Sequence, residues 1–214
     1  QSRGLGDVYK RQRKQHIIKE FDNKEEFELN WVEASVHPIG AVGLWNSMIK
    51  IIKMAKEKGD DIIVICEDDH YFTENYSPKL LFKEVTEAYI QGAEVLTGGI
   101  GGFGQAIPEG YHRYKVDWFW CTQFIVVYNR FFDKMLDYSF QDTDTADGVI
   151  SKLATNKMVI FPFISEQRDF GYSDVTQSNM EQQGKIREHF ARANKRMEFV
   201  SQSNMQSNIP KNYF

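Results

Sequence analysis

The residues most suited to chemistry form the acidic run Glu67-Asp68-Asp69, which is followed by His70. The run comes directly after Ile62–Cys66, five apolar residues in succession that predict a strand buried on both faces. Three neighbouring carboxylates repel one another unless a cation or hydrogen-bond donors neutralise them. Alternation places Glu67 and Asp69 on one side, so the run predicts a site for Mn²⁺ or Mg²⁺ on Asp69, with Glu67 or His70 as further ligands. A solvated acidic turn is the alternative.

Asp147 is a second candidate, because it lies just after Thr145 at the expected start of a helix. A carboxylate that faces a cleft can act as a general base and remove the proton from an attacking hydroxyl. An aspartate in the first turn of a helix is also stabilised by the helix dipole without any functional role. Both interpretations of Asp147 stay open on the local sequence.

A glycine-rich segment spans residues 98–104, and residues 99–104 fit the pattern G-x-G-x-x-G. The segment after it contains Pro108 and Gly110 and opens no helix, so the pattern does not predict dinucleotide binding. Glycine still lets a backbone approach a ligand closely, which makes Gly98 and Gly99 candidate substrate contacts. A flexible linker is the alternative.

Two further stretches carry groups suited to binding. Gln167, Arg168, Ser173 and Asp174 lie in a polar segment after Pro162 and could contact phosphate or sugar hydroxyls; a plain connection to the last helix is the alternative. The run Trp118-Phe119-Trp120 could stack on a sugar ring or a base, although packing on a sheet is the more frequent fate of such a run.

The elements that must position these residues alternate between strands and helices in the first half of the chain. This order predicts an α/β fold, a single domain with a mostly parallel central sheet flanked by helices. Ligands bind such sheets beyond the carboxyl ends of the strands, where the acidic run lies. The expected helices are at 13–24, 44–58, 78–91, 130–137, 145–155 and 181–200, and the expected strands at 27–33, 62–66, 94–97, 116–128 and 158–161.

Composition excludes several classes of protein. The chain has 214 residues, a formal net charge of −4 and 14% aromatic residues, which favours one globular domain and offers no general basic field for nucleic acid. Its two cysteines, Cys66 and Cys121, form no disulfide framework, and no zinc spacing or P-loop occurs. No apolar run approaches the roughly 20 residues of a membrane span.

The chain begins with Gln1, and residues 1–12 resemble the translated adapter sequence found at the ends of environmental reading frames. We therefore expect residues 1–12 to be a non-native tail, residues 13–200 to form the catalytic domain, and residues 201–214 to be a flexible tail. An ordinary basic N-terminal arm is the alternative for residues 1–12.

Taken in order, these motifs resemble glycosyltransferase family 25, the bacterial lipooligosaccharide galactosyltransferases, over roughly residues 13–175. The glycine-containing stretch at 40–44 with Ser47 is similar to the family's glycine-rich segment. The run Glu67-Asp68-Asp69 is similar to its acidic motif, and Thr145-Ala146-Asp147 to its Pro-Val-Asp. Its closing motif is matched by Pro162, Gln167 and Ser173-Asp174-Val175.

This resemblance implies a glycosyltransferase A fold whose first strand would precede residue 13. It implies transfer of a hexose from a nucleotide-diphosphate sugar, UDP-sugar above all, to a glycan or lipid-linked acceptor of surface polysaccharide or lipopolysaccharide. Mn²⁺ or Mg²⁺ on Asp69, with Glu67 or His70, would neutralise the leaving diphosphate. Asp147 would be the base. The substrate contacts would be Glu67, Asp68, Gly98, Gly99, Gln167, Arg168, Ser173 and Asp174.

Other interpretations are a sugar nucleotidyltransferase and a sugar-nucleotide-binding module without catalysis. The expected location is the cytoplasm. The basic, amphipathic last helix could also lie on an anionic membrane surface, but packing of one face on the domain is its more common role.

Overall fold

The computed structural model describes residues 2–170 and 184–207, with side chains at 10–170 and 184–203. The described helices are α1 (Ser2–Glu20), α2 (Gly40–Lys58), α3 (Pro78–Ile90), α4 (Asn129–Leu136), α5 (Ala146–Leu153) and α6 (Lys185–Ser207). The described strands are β1 (Ile62–Cys66), β2 (His70–Phe72), β3 (Val95–Thr97), β4 (Ala106–Pro108), β5 (Arg113–Val116), β6 (Phe124–Tyr128), β7 (Lys157–Ile160) and β8 (Ser165–Gln167).

Six of the described strands form the central sheet in the order β1-β6-β3-β7-β5-β4, and β2 pairs with β8 in a small second sheet. Helices flank the central sheet, so the predicted α/β domain is confirmed. The prediction of a mostly parallel sheet is wrong, because β3 and β7 alone among the described pairs are parallel. Parallel neighbours need a crossover connection, whereas β6 is reached from β3 through the hairpin of β4 and β5 and enters the sheet in the opposite direction.

The direction of the strands still gathers loops at one edge. Strands β1 and β3 both run antiparallel to β6, and β7 runs parallel to β3, so β1, β3 and β7 share one direction. Their carboxyl ends therefore lie at the same end of the strands of the sheet, together with the amino end of β6; this end is called the edge of the sheet below. The acidic run, the glycine-rich segment and residues 121–123 meet at this edge.

The core lies on both faces of the sheet, as the alternation of side chains requires. One face carries Val95, Ile125, Val127 and Val159 and packs against the apolar sides of α2, α4, α5 and α6. The other face carries Leu96, Phe124, Val126 and Met158 and packs against α3. Strand β6 is buried along its whole length, which makes it the centre of the core.

Capping residues define two helix starts as predicted. Ser77 Oγ accepts a hydrogen bond from Leu80 N at 3.2 Å, and Thr145 Oγ1 accepts one from Gly148 N at 3.3 Å. Helix α4 begins at Asn129, one residue before the expected start at 130, and the Asn129 side-chain amide donates to Asp61 Oδ1 at 2.5 Å.

Two of the expected strands differ in the structure. Residues 27–33 alternate as a strand does but form none, because no neighbouring segment pairs with them, and Trp31 is 57% exposed. The expected β-rich segment at 116–128 divides into the end of β5, an irregular connection and β6.

Helix α1 begins earlier than the expected position 13 and spans the boundary with residues 1–12. Among the described residues, no helix combines the length and the apolar character that crossing a membrane would require.

A candidate acidic site at the end of the central sheet

The acidic run lies at the carboxyl end of β1 and is held there by the segment that leads into β6. Glu67 N donates to Gln123 O at 3.0 Å, and Thr122 Oγ1 donates to Glu67 Oε1 at 2.5 Å. Burial, followed by the charge of Asp69, raises the pKa of Glu67 well above its usual range. Glu67 and Asp69 thus act on each other, as their expected position on one side of the chain requires.

Arg13 of α1 bridges the other two carboxylates. Its Nη1 lies 2.8 Å from Asp68 Oδ1 and 3.3 Å from Asp69 Oδ2. Gln167 Nε2 also donates to Asp69 Oδ2 at 2.9 Å, whereas Asp69 Oδ1 is buried and has no hydrogen-bond partner within the described part of the chain. Burial raises the pKa of Asp69, and the charge of Arg13 opposes this shift. One positively charged nitrogen therefore holds two carboxylates, one of which keeps a buried oxygen unsatisfied.

His70 packs on the side of the core rather than with these carboxylates, and its role as a metal ligand stays a prediction. Neighbouring residues of an extended segment point to opposite sides, and the His70 ring lies among aromatic side chains behind the acidic run. Its centroid is 4.3 Å from that of Phe72 and 5.1 Å from that of Phe124, and its Nδ1 lies 2.7 Å from Ser165 Oγ. Burial, followed by the charge of His16, lowers the pKa of His70 to about 3. The ring is a neutral part of the core.

The arrangement offers some, but not all, of the oxygen ligands that a hard divalent cation needs. No group of three or more histidine, cysteine, aspartate or glutamate side chains in the described part of the chain is placed to hold a metal ion. Glu67 is directed to Thr122, which leaves Asp68 and Asp69 as the carboxylates that share one cationic neighbour. Mg²⁺ is usually held in this way, by one or two carboxylates together with water and substrate phosphates.

Gly98 and Gly99 are required by the protein's own packing. Gly98 O accepts from Ile164 N at 2.8 Å and from Ser165 N at 3.1 Å. A Cβ at Gly98 would lie 2.9 Å from a Phe124 carbon, and one at Gly99 would lie 2.0 Å from Ser165 O. The close approach that these glycines allow in this structure is to neighbouring strands, and their contact with a substrate stays a prediction.

Asp147 faces the same edge from the first turn of α5. Its Oδ2 accepts from Cys121 N at 3.1 Å, and its Oδ1 accepts from Gly148 N at 2.8 Å. Burial, then the charges of Asp147 and Glu67, raise the pKa of the Cys121 thiol. The segment 121–123 thus contacts both Asp147 and the acidic run, since Cys121 N donates to Asp147 and Gln123 O accepts from Glu67 N.

Gln167 and Arg168 reach the acidic run through β8. Gln167 contacts Asp69, as given above, and Arg168 N donates to Asp69 O at 2.7 Å. The Arg168 guanidinium is exposed and lies 5.2 Å from the centre of the Phe170 ring. Ser173 and Asp174 lie outside the described residues.

Two important residues were missed by the sequence interpretation. Arg13 lies far from the acidic run in sequence, and only the packing of α1 brings it there. The buried amide of Gln123 donates to Gly99 O at 3.1 Å and to Ser165 Oγ at 3.3 Å, and so joins the segment before β6 to the strand ends. A polar residue directly before the apolar run of β6 was the available signal for Gln123.

Comparisons with known proteins give little further information. No family model matches the chain, and no curated protein matches it. Among solved structures, apo UDP-glucose pyrophosphorylase is similar with a TM-score of 0.41 and 9% sequence identity. The match covers 72% of this chain and 61% of that protein, so the chain spans less than two thirds of its length.

Proposed function

We propose that this protein transfers a hexose from a nucleoside-diphosphate sugar, UDP-sugar in the first place, to a hydroxyl of a glycan or lipid-linked acceptor. The observation that carries the proposal is the pair Asp68 and Asp69, held by one guanidinium nitrogen at the carboxyl end of β1. Two carboxylates around one cationic position are suited to a divalent ion that also binds a diphosphate. The resemblance of the ordered motifs to glycosyltransferase family 25 supports the same function.

In this proposal Asp68 and Asp69 would hold Mn²⁺ or Mg²⁺. The ion would supply positive charge to the diphosphate that leaves the sugar. Gln167 already donates to Asp69 and would keep that carboxylate in place. Arg168, exposed beside it, would contact phosphate or acceptor.

Asp147 would take the proton from the attacking acceptor hydroxyl. Its two oxygens each accept one backbone N–H, which fixes the carboxylate while leaving further lone pairs for a hydroxyl. A general base of this kind contributes about 10²- to 10⁴-fold to the rate. The acceptor itself would belong to surface polysaccharide or lipopolysaccharide synthesis in the cytoplasm.

Turnover of UDP-hexoses with Mn²⁺ tests the proposal, with a saccharide mixture as acceptor and mass spectrometry of the products. We expect UDP release together with a saccharide that is heavier by one hexose. Asp69→Asn and Asp147→Asn should each reduce transfer by at least about 10²-fold. Asp142→Asn, at an exposed aspartate, is the matched control and should be unchanged.

Other products would contradict the proposal. Pyrophosphate released from UTP and a sugar phosphate would instead establish a nucleotidyltransferase. UDP-sugar binding without any turnover would establish a binding module. Because Asp69 is buried and its variant could lose the fold, Asp68→Asn at the half-exposed neighbour repeats the test.

A further inference from the structure

The side chain of Trp120 is 48% exposed, and Trp120 directly precedes the residue that contacts Asp147. The next residue, Cys121, donates its backbone N–H to Asp147 Oδ2 at 3.1 Å. Cys121 has a φ of 77°, a left-handed conformation that is uncommon for a residue with a side chain. Such conformations cluster at functional sites, and this one reverses the chain between Trp120 and β6.

The Trp120 ring is held in place although half of it is exposed. Trp120 N donates to Gly102 O at 3.1 Å, and Gly101 N donates to Trp120 O at 3.0 Å. A Cβ at Gly102 would lie 2.8 Å from Trp120 Cε3, so the absence of a side chain lets the indole rest on the backbone. Glycines 101 and 102 thus have a packing role under the ring.

Two further aromatic rings hold the indole at its sides. The Trp118 centroid is 5.1 Å from that of Trp120, and His189 of α6 meets Trp120 edge-on at 5.7 Å. A tryptophan that is supported by three neighbours and still exposes much of its ring offers a rigid apolar surface. Rigid aromatic groups bind at a low cost in conformational entropy.

The surroundings of the ring select the type of ligand. The Asp147 carboxylate, which accepts the N–H of the residue after Trp120, places negative charge at this segment and disfavours a phosphate that carries no cation. A neutral pyranose has a C–H face that can lie on the indole and hydroxyl donors that can reach the Asp147 carboxylate. A nucleobase could also stack, but it has fewer donors for this carboxylate.

We propose that Trp120 is the stacking surface for an uncharged hexopyranose, the acceptor sugar, whose hydroxyl is then directed to Asp147. This inference deepens the proposed function and rests on it for the word acceptor. The binding of a neutral hexose at Trp120 is a separate claim that can be measured without nucleotide or metal.

The test is titration of the metal-free protein with methyl hexosides, followed by tryptophan fluorescence and saturation-transfer NMR. We expect Trp120→Ala to weaken hexoside binding by about tenfold or more and Trp120→Phe to retain most of it. Trp31→Ala is the matched control, because Trp31 is 57% exposed and lies outside this region of the chain. Its hexoside binding should equal that of the wild type.

Two results would overturn the inference. One is hexoside binding by Trp120→Ala equal to that of the wild type, or no hexoside binding by the wild type itself. The other is a response of Trp120 to uridine in place of hexosides, which would make the ring a nucleobase contact.

Failure of the proposed function would look different. In that case UDP with Mn²⁺ would not bind the wild type, whatever the hexosides do. Trp120→Ala should leave the binding of UDP and Mn²⁺ unchanged, so the two claims are measured independently.

Discussion

Two arginines in this protein each bridge a pair of carboxylates, and they differ in what surrounds them. Arg113 on β5 is 1% exposed and contacts one face of α3. Its Nη1 donates to Glu84 and, at 3.2 Å, to Glu87 Oε2, while its Nε donates to Gln91 Oε1 at 3.0 Å. The three partners are spaced along one side of the helix, and Glu109 O accepts a further bond.

Arg13 joins an N-terminal helix to the end of the central sheet. Asp68, one of its two partners, has a side chain that is 49% exposed. Asp69 Oδ1 is buried and has no hydrogen-bond partner among the described residues, as is also true of Glu84 Oε1 in the Arg113 cluster. Each cluster has one half-exposed carboxylate, since Glu87 is 42% and Asp68 49% exposed, and the two clusters differ in the guanidinium itself, which is 1% exposed in Arg113 and 17% exposed in Arg13. In our proposal this difference separates an ion pair that stabilises the fold from a cationic position that a ligand would take.

The largest effect on stability should come from Arg113→Met. Removing the guanidinium breaks a buried ion pair, which typically costs about 3–5 kcal/mol, and leaves buried Glu84 with the Lys83 ammonium, 3.9 Å away, as its cationic neighbour. The free energy of unfolding from urea titration measures the loss. A loss below about 1 kcal/mol, as at surface ion pairs, would contradict the structural role of Arg113.

Glu94→Gln should have a smaller effect that depends on pH. Burial alone would raise the pKa of Glu94, but hydrogen bonds from Lys134 Nζ at 2.5 Å and Thr155 N at 2.6 Å hold it below its ordinary value. A lowered folded-state pKa stabilises the protein above the unfolded pKa, and this contribution is lost as pH falls through the folded pKa.

We therefore expect Glu94→Gln to lose about 1–2 kcal/mol near pH 7 and to approach the wild type at pH values below the ordinary glutamate pKa of about 4.3. Urea titrations at both pH values measure this. An equal loss at both pH values would show that the charge of Glu94 is not responsible. Both oxygens of Glu94 accept hydrogen bonds, whereas Asp69 has one oxygen that accepts none among the described residues.

Arg13→Gln should affect stability less than Arg113→Met and cation binding most. Asp68 is half-exposed, and buried Asp69 keeps the hydrogen bond from Gln167, so we expect a loss of about 1–2 kcal/mol. Removal of the Arg13 charge next to the two carboxylates should tighten Mn²⁺ binding by about tenfold. The guanidinium and Mn²⁺ are both positive, and they repel each other strongly at short distance. Electron paramagnetic resonance of free Mn²⁺ measures this.

Lys14→Gln, one residue along α1, is the control for a general change in charge. Equal Mn²⁺ affinity in Arg13→Gln and the wild type would contradict the view that Arg13 occupies the position of a cation.

The predictable parts of the fold have local causes. The apolar run of β1 and the Ser77 and Thr145 caps are encoded in a few neighbouring residues, and the structure has them at the expected places. Strand direction is not local. The apolar residues of β6 are equally compatible with a parallel and an antiparallel strand. Only the route of the chain through β4 and β5 makes β6 antiparallel to its neighbours.

The candidate site divides in the same way. The position of Glu67, Asp68 and Asp69 directly after an apolar strand follows from the sequence. The prediction that this strand is buried on both faces is wrong, because β1 is an outermost strand of the sheet and only Ile65 in it is buried. The neutralisation of the carboxylates by Arg13 depends on how α1 packs. His70 shows that residue type alone does not locate a side chain. Histidine is a common metal ligand, but the alternation of side chains along the strand directs His70 towards the aromatic side chains of the core.

Whether Asp68 and Asp69 bind a diphosphate together with a divalent cation is tested most directly by thermal unfolding with UDP, with and without Mn²⁺. A ligand at a hundredfold excess over its Kd stabilises the folded state by about 2.7 kcal/mol. We predict a stabilisation by UDP that requires Mn²⁺ and is lost in Asp68→Asn and in Asp69→Asn, but kept in Asp142→Asn. A stabilisation that is independent of Mn²⁺, or one that survives in both site variants, would contradict the account.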